Sequence, residues 1–282
     1  MRQISDFSGV MAAWAAREPS VKALVLFGSQ VHSKSDFHPN ADAQSDWDFQ
    51  IVTSRPTMFS GSAWLHQATG TKPRVYAIRT PRIGAMPKIN AVLTENEADF
   101  VIIPARTFHL ARFAVKLGLH RPAGRLRRSL QDLSVVIRPG YRFLKGGAIW
   151  DDFYRRVIDE VSDLRLNDAA ARNLAEGFVY DYLWSLRKLE RGELVAVQRM
   201  LYRELTETNF RLMHELKLRR NERSFPDARR FEQVANLEEL ENMSICAPAQ
   251  KDSLQLAVAQ SAMTLRRIMY ALAGDTWCWP TI

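Results

Sequence analysis

The sequence predicts an α/β (α+β) N-terminal domain with a mixed sheet, followed by an all-α helical bundle. Three observations carry this. The first half places short, almost continuous apolar runs between polar turns, as strands buried in a sheet require. From about residue 150 the apolar residues recur every three or four positions, the helical period. At 282 residues the chain is long enough for two cores. The expected domains are residues 1–147 and 148–282, with the seam at Lys145-Gly146-Gly147, where glycines interrupt both patterns.

In chain order, residues 5–17 repeat Phe7, Val10, Met11 and Trp14 at helical spacing behind the candidate caps Ser5 and Asp6. Val21–Phe27 is a buried strand, 30–45 a polar loop, and Trp47–Thr53 the next strand. Further strands are expected at Arg74–Arg79 and Asn90–Thr94. After the turn Glu95-Asn96-Glu97 another is expected at Ala98–Pro104, and a last one at Ser134–Ile137, closed by Arg138-Pro139-Gly140. Helices follow over 151–164, 168–191, 193–218, 227–240 and 252–273, punctuated by Asn167-Asp168, Gly192 and Pro226.

Composition narrows the class. A hydrophobic share of 46% with 25% charged residues is that of a globular protein. The two cysteines, Cys246 and Cys278, have no metal-ligand spacing and fit a reducing compartment. No apolar run approaches the ~20 residues of a membrane span, and the N-terminus lacks an apolar signal core, so a cytoplasmic location is expected. The formal charge of +8 suits an anionic partner, whether nucleotide or nucleic acid, and equally a solvated surface.

The chemistry concentrates between Leu24 and Phe49. A strand runs into Gly28-Ser29, and after the polar loop Asp46 and Asp48 stand on alternate residues at the start of a strand. Side chains two apart on a strand share a face, so both carboxylates enter one site, a pairing that a cation makes comfortable. Mg²⁺ prefers such oxygen ligands and joins one or two carboxylates to substrate phosphates. A third carboxylate, Asp99, opens the apolar strand Ala98–Pro104; if that strand neighbours Asp48, three carboxylates converge. Gly28 lets the backbone approach a phosphate, and the hydroxyl and N–H of Ser29 can donate to it.

This order of strand, Gly-Ser, loop, Asp-x-Asp and later Asp-led strand resembles the polymerase-β-like nucleotidyltransferases. Within them the chain most resembles the aminoglycoside 6-adenylyltransferases, which modify streptomycin. That likeness extends to Ala98-Asp99-Phe100 with its apolar run, to Val135-Val136-Ile137-Arg138-Pro139-Gly140, and to the aromatic-rich helix ending in Lys188, Arg191, Glu193 and Leu194. Gln30 departs from it, standing where the family commonly has arginine, and the loop before Asp46 is longer. The resemblance implies that Asp46 and Asp48 hold Mg²⁺ against the phosphates of ATP. It makes Asp99 a third ligand or the base, and Gly28, Ser29, Gln30 and Lys188 nucleotide contacts. AMP would pass to a hydroxyl of a small cationic acceptor, with monomer or homodimer both open.

Glu176, Tyr180, Trp184 and Lys188 recur every four residues and share a helix face. The aromatics could stack on adenine or sugar while Lys188 reaches a phosphate; equally, Tyr180 and Trp184 could pack against the sheet domain while Lys188 snorkels. Asp181 and Glu176 are candidates to meet cationic groups of the acceptor. His32 and His38 read as loop residues; His109, His120 and His214 show no metal-ligand pairing. Two competing functions stay open: nucleotidyl transfer to RNA or protein, favoured by the basic balance, and a non-catalytic nucleotide-binding module on the same fold.

Overall fold

The computed structural model describes residues 7–31, 41, 45–79, 86–122, 124–162 and 165–281. The expected caps Ser5 and Asp6, and most of the loop 30–45 with His32 and His38, lie outside the described residues. The chain divides into two compact units, Met1–Leu164 and Arg165–Ile282.

The first unit is built on a six-stranded mixed sheet. Its strands are β1 (Val21–Phe27), β2 (Trp47–Thr53), β3 (Val75–Arg79), β4 (Lys88–Val92), β5 (Glu97–Pro104) and β6 (Tyr141–Lys145), in the spatial order β3-β4-β5-β2-β1-β6. The pair β2–β5 is parallel; the other neighbours are antiparallel. β1 and β2 coincide with the expected strands, because each carries a row of apolar residues that the sheet buries: β1 on both faces, β2 through Trp47, Phe49 and Ile51 on one face and Val52 on the other. On one side, Leu24, Leu26, Phe49, Ile51 and Phe100 pack with α1 (Phe7–Arg17) and α2 (Ala63–Thr69). Phe49 stacks on Phe100 with centroids 5.5 Å apart, and Trp64 meets Phe100 edge-on at 5.0 Å. On the other side, Ala23, Val25, Val52 and Ile103 pack with α3 (Ala105–Lys116), α4 (Arg125–Ile137) and α5 (Gly147–Glu160). There the buried Tyr154 hydroxyl donates to Gln50 Oε1.

Three expectations are corrected. Ser134–Ile137 is the last turn of α4, not a strand. Its β-branched run fits either state locally, but Leu130, Ser134 and Ile137 are the residues buried, at helical spacing, while Val135 is exposed. The sixth strand follows the Pro139-Gly140 turn instead. The boundary between the units falls at Leu164/Arg165 rather than at residue 147. Gly146 makes a tight turn, not a linker: its φ is +81° and a Cβ there would overlap the Lys22 carbonyl. The helix it opens, α5, buries Trp150, Phe153, Tyr154 and Val157 in the first unit's core. The third correction is in the second unit, where 227–240 is not one helix. Asp227, Ala228 and Arg230 take left-handed backbone, leaving α9 (Phe231–Val234) and α10 (Leu237–Met243), the latter opened by a capping box between Asn236 and Glu239.

The remainder of the second unit is α6 (Asp168–Glu190), α7 (Leu194–Met200), a π-helical turn Leu201–Leu205, α8 (Thr206–Arg219) and α11 (Lys251–Ala273), around one apolar core. Glu215 on α8, 3% exposed, accepts from the guanidinium of Arg165, the Leu166 N–H and Arg219. Burial by itself would raise its pKa; those hydrogen bonds outweigh the burial and hold it below the usual carboxylate range. A depressed folded pKa stabilises the fold above the unfolded value and loses that stabilisation as pH falls through the folded one. Glu215→Gln is therefore expected to cost about 1.5–3 kcal/mol near neutral pH. In urea unfolding the gap to wild type should close progressively as pH drops below 4.5, the ordinary glutamate value.

Candidate active site

β2 and β5 pair in parallel with Asp48 directly opposite Asp99, and on the next strand Asn90 stands opposite Asp99. Residues in one such row share a face of the sheet, so the two carboxylates lie side by side. Asp46, two residues before Asp48, joins them: one carboxylate oxygen from each of Asp46, Asp48 and Asp99 lies within 4.8 Å of the others, all half-buried. The expected convergence of three acids is what the sheet produces.

Gly28 ends β1 and opens a single 3₁₀ turn, Gly28–Gln30. Its φ is +74°, and a Cβ on it would overlap the Asp48 carboxylate. The glycine is thus required twice, by its backbone and by the acid against it. Ser29 and Gln30, both half-buried, follow in the same turn, which the Val31 N–H closes onto the Gly28 carbonyl at 3.1 Å.

Two side chains of the site escaped sequence reading. Lys88 Nζ lies 2.6 Å from Asp99 Oδ2, and Asn90 donates its amide to Asp99 Oδ1. Both come from β4, whose expected start at Asn90 left Lys88 outside. The alternation Lys88-Ile89-Asn90, with Ile89 buried, is the signal that marks them as sharing a face. Asn90 Oδ1 is buried without a hydrogen-bond partner, an unmet acceptor next to the acids.

The donor set suits a hard divalent cation. Three carboxylates gathered this closely repel one another, and among the described residues the half-exposed ammonium of Lys88 offsets part of the charge at Asp99. Oxygen ligands at such spacing are what Mg²⁺ takes, with its remaining positions left to water and phosphate.

The other expected site residues lie on α6, in the second unit. Glu176 is exposed and accepts from Trp277 Nε1 at 3.0 Å. Tyr180 is largely exposed. Lys188 stacks over the Trp184 ring at 5.3 Å and pairs with Glu193 at 2.6 Å. Asp181 is half-buried, and burial first, then the Glu204 carboxylate, raises its pKa.

No family model matches this sequence, and no curated protein does. Among solved structures the chain is similar to an aminoglycoside 6-adenyltransferase from Bacillus subtilis, at 12% identity and a TM-score of 0.40, over 99% of this chain and 94% of that one. It is also similar to a nucleotidyltransferase-like protein from Exiguobacterium sibiricum 255-15, at 10% identity and a TM-score of 0.29, over 95% and 75% of the two chains. Likeness of this degree leaves activity and acceptor to rest on the residues themselves.

Two substitutions probe the geometry. Gly28→Ala should lower the unfolding free energy by about 1–3 kcal/mol, the cost of a non-glycine residue in left-handed backbone, with the overlap on Asp48 added. An unchanged thermal midpoint would mean that the corner accommodates a Cβ beside Asp48. Lys88→Met removes a cation from Asp99 and should tighten Mn²⁺ binding about threefold, the scale of one partly exposed charge pair, as read by titration calorimetry. Unchanged or weaker affinity would detach Lys88 from the carboxylate cluster.

Proposed function

We propose that the protein transfers AMP from ATP to a hydroxyl of a small cationic acceptor, an aminoglycoside such as streptomycin, in an Mg²⁺-dependent reaction. The observation that carries this reading is the meeting of Asp46, Asp48 and Asp99 beside the Gly28-Ser29 corner. Acids so placed are costly to a fold unless they hold a cation, and the neighbouring backbone turn suits a phosphate.

Asp46 and Asp48 would hold the metal, and Asp99 stands beside them as a further ligand or as the base. When bound, Mg²⁺ offsets phosphate charge and polarises the α-phosphorus towards attack. Ser29 donates its hydroxyl and N–H to the phosphate chain, and Gly28 keeps a side chain out of that space. Gln30 adds an amide donor in place of a charged one. The acceptor hydroxyl gives its proton to a carboxylate oxygen of Asp99, whose orientation Asn90 fixes. Lys88 must release Asp99 Oδ2 for that oxygen to serve as base or ligand. The hydroxyl oxygen forms a bond to the α-phosphorus, the bond to the bridging oxygen breaks, and pyrophosphate leaves. Asp181 on α6, with Glu204 of the π-helical turn, offers carboxylates to the ammonium or guanidinium groups of a cationic acceptor, and exposed Tyr180 offers a ring face. Glu176, Trp184 and Lys188 complete the proposed binding helix.

The test is intact-mass analysis of a panel of aminoglycosides after incubation with the protein, ATP and Mg²⁺. The expected product is one acceptor heavier by a single AMP residue, lost on chelation. Asp99→Asn should slow transfer by about 10²–10⁴-fold, the range of a general base, and Asp46→Asn or Asp48→Asn should abolish it together with metal binding. No mass gain on any compound removes the antibiotic acceptor. Transfer that survives Asp48→Asn removes the site.

A further inference from the structure

The net charge of this chain is not spread over its surface. From Ala105 to Gln131 there are six arginines and one lysine and no Asp or Glu, so this stretch accounts for nearly all of the formal +8. The same stretch carries an unpartnered apolar face. On α3, Phe108 and Val115 are buried, Phe108 against Trp150 and Phe153 of α5 with ring centroids 4.9 and 5.0 Å apart. On the opposite side, Leu110, Phe113 and Leu117 are 69%, 60% and 56% exposed. Their spacing of three and four residues sets them in one row along the helix. The helix then closes in a left-handed glycine turn: Gly118 has φ +73°, and the Leu119 N–H bonds the Ala114 carbonyl at 2.9 Å. That turn holds Leu119, also 60% exposed, just beyond the row.

The cations divide into two sets. Arg112 lies over the Trp150 ring, and Arg127 binds the Arg121 carbonyl and Ser162 Oγ, so these two support the fold. Arg106, Lys116, Arg121, Arg125 and Arg128 are exposed. Carboxylates bound this stretch on two sides: Asp132, one turn beyond Arg128 on α4, and Glu160, at the end of α5, which pairs with His120 and Arg156.

We propose that α3, the turn after it and the start of α4 form a docking surface for an anionic lipid bilayer. A row of leucines and a phenylalanine among cations, with no acid in the stretch, is the pattern of a helix that lies in a membrane interface. The apolar row enters the boundary between headgroups and acyl chains, and the arginines meet the lipid phosphates. Nucleic acid would use the cations but give Leu110, Leu117 and Leu119 nothing to do. A second copy of this chain would bring like charges against like. Docking of this kind is peripheral, and no described helix is long and apolar enough to cross a bilayer.

Co-sedimentation of the full chain with vesicles tests this, comparing phosphatidylcholine alone with phosphatidylcholine containing phosphatidylserine. Binding is expected only to the anionic vesicles, and it should fade as salt shortens the Debye length from about 10 Å to about 3 Å. The double variant Arg125→Glu/Arg128→Glu should weaken it at least tenfold, given about 1 kcal/mol for each basic residue at such a surface. Phe113→Ser/Leu117→Ser should also weaken it at least tenfold, since burying each such side chain contributes about 1.5–3 kcal/mol. Both variants should keep the wild-type thermal midpoint, as all four residues are exposed; if the apolar pair alters it, the charge-reversal pair decides. No sedimentation with anionic vesicles overturns the proposal. So does binding indifferent to Phe113→Ser/Leu117→Ser in a folded protein, and so does tighter capture of RNA that is equally indifferent.

Discussion

The parallel, in-register pairing of β2 with β5 is the constraint on which the site depends. Parallel pairing puts Asp48 against Asp99, and a shift of one residue would send one of them to the other face of the sheet. Like charges directly opposite each other destabilise a sheet, so this pairing needs compensation from outside the strands. Lys88 and Asn90 supply part of it from β4 by binding the two oxygens of Asp99. A divalent ion held by the three acids would add to it. Gly28 completes the arrangement because any side chain there would occupy the space of the Asp48 carboxylate.

What holds the pairing in register is burial on both sides of the sheet. The rings of Phe49 and Phe100, neighbours of the two aspartates, stack on the opposite face and lock the strands at the same level. On the face that bears the acids, Gln50 follows Asp48 by two residues and is tied to the buried Tyr154 of α5. The site is therefore fixed on one flank by an aromatic layer and on the other by a polar anchor, so its carboxylates need not order themselves. In the second unit the same economy appears at Glu215, a buried acid kept charged by two arginines and a backbone N–H.

Much of this was legible beforehand. β1 and β2 matched because their apolar residues mark them as buried strands, and Asp46, Asp48 and Asp99 stood out as acids at the starts of such strands. Ser134–Ile137 was misread because three β-branched residues at a helix end look like a strand when the burial of Leu130, Ser134 and Ile137 is unknown. Gly146 resembled a linker residue because sequence shows a glycine but not the Lys22 carbonyl against it. The break in 227–240 depends on left-handed backbone at Ala228 and Arg230, residues with no local preference for it.

By itself, the sequence determined the two kinds of architecture, the buried strands and the identity of the three acids, since these follow from period and from charge placed in apolar runs. Strand order, register and the boundary at Leu164 were decided only by tertiary structure, because they depend on which surfaces bury one another. The same is true of Lys88 and Asn90, whose part in the site exists only because β4 pairs beside Asp99, and of the exposed apolar row on α3. A leucine reads the same in a sequence whether it faces the core or the solvent, and only the packing of the opposite face of α3 on α5 tells the two apart.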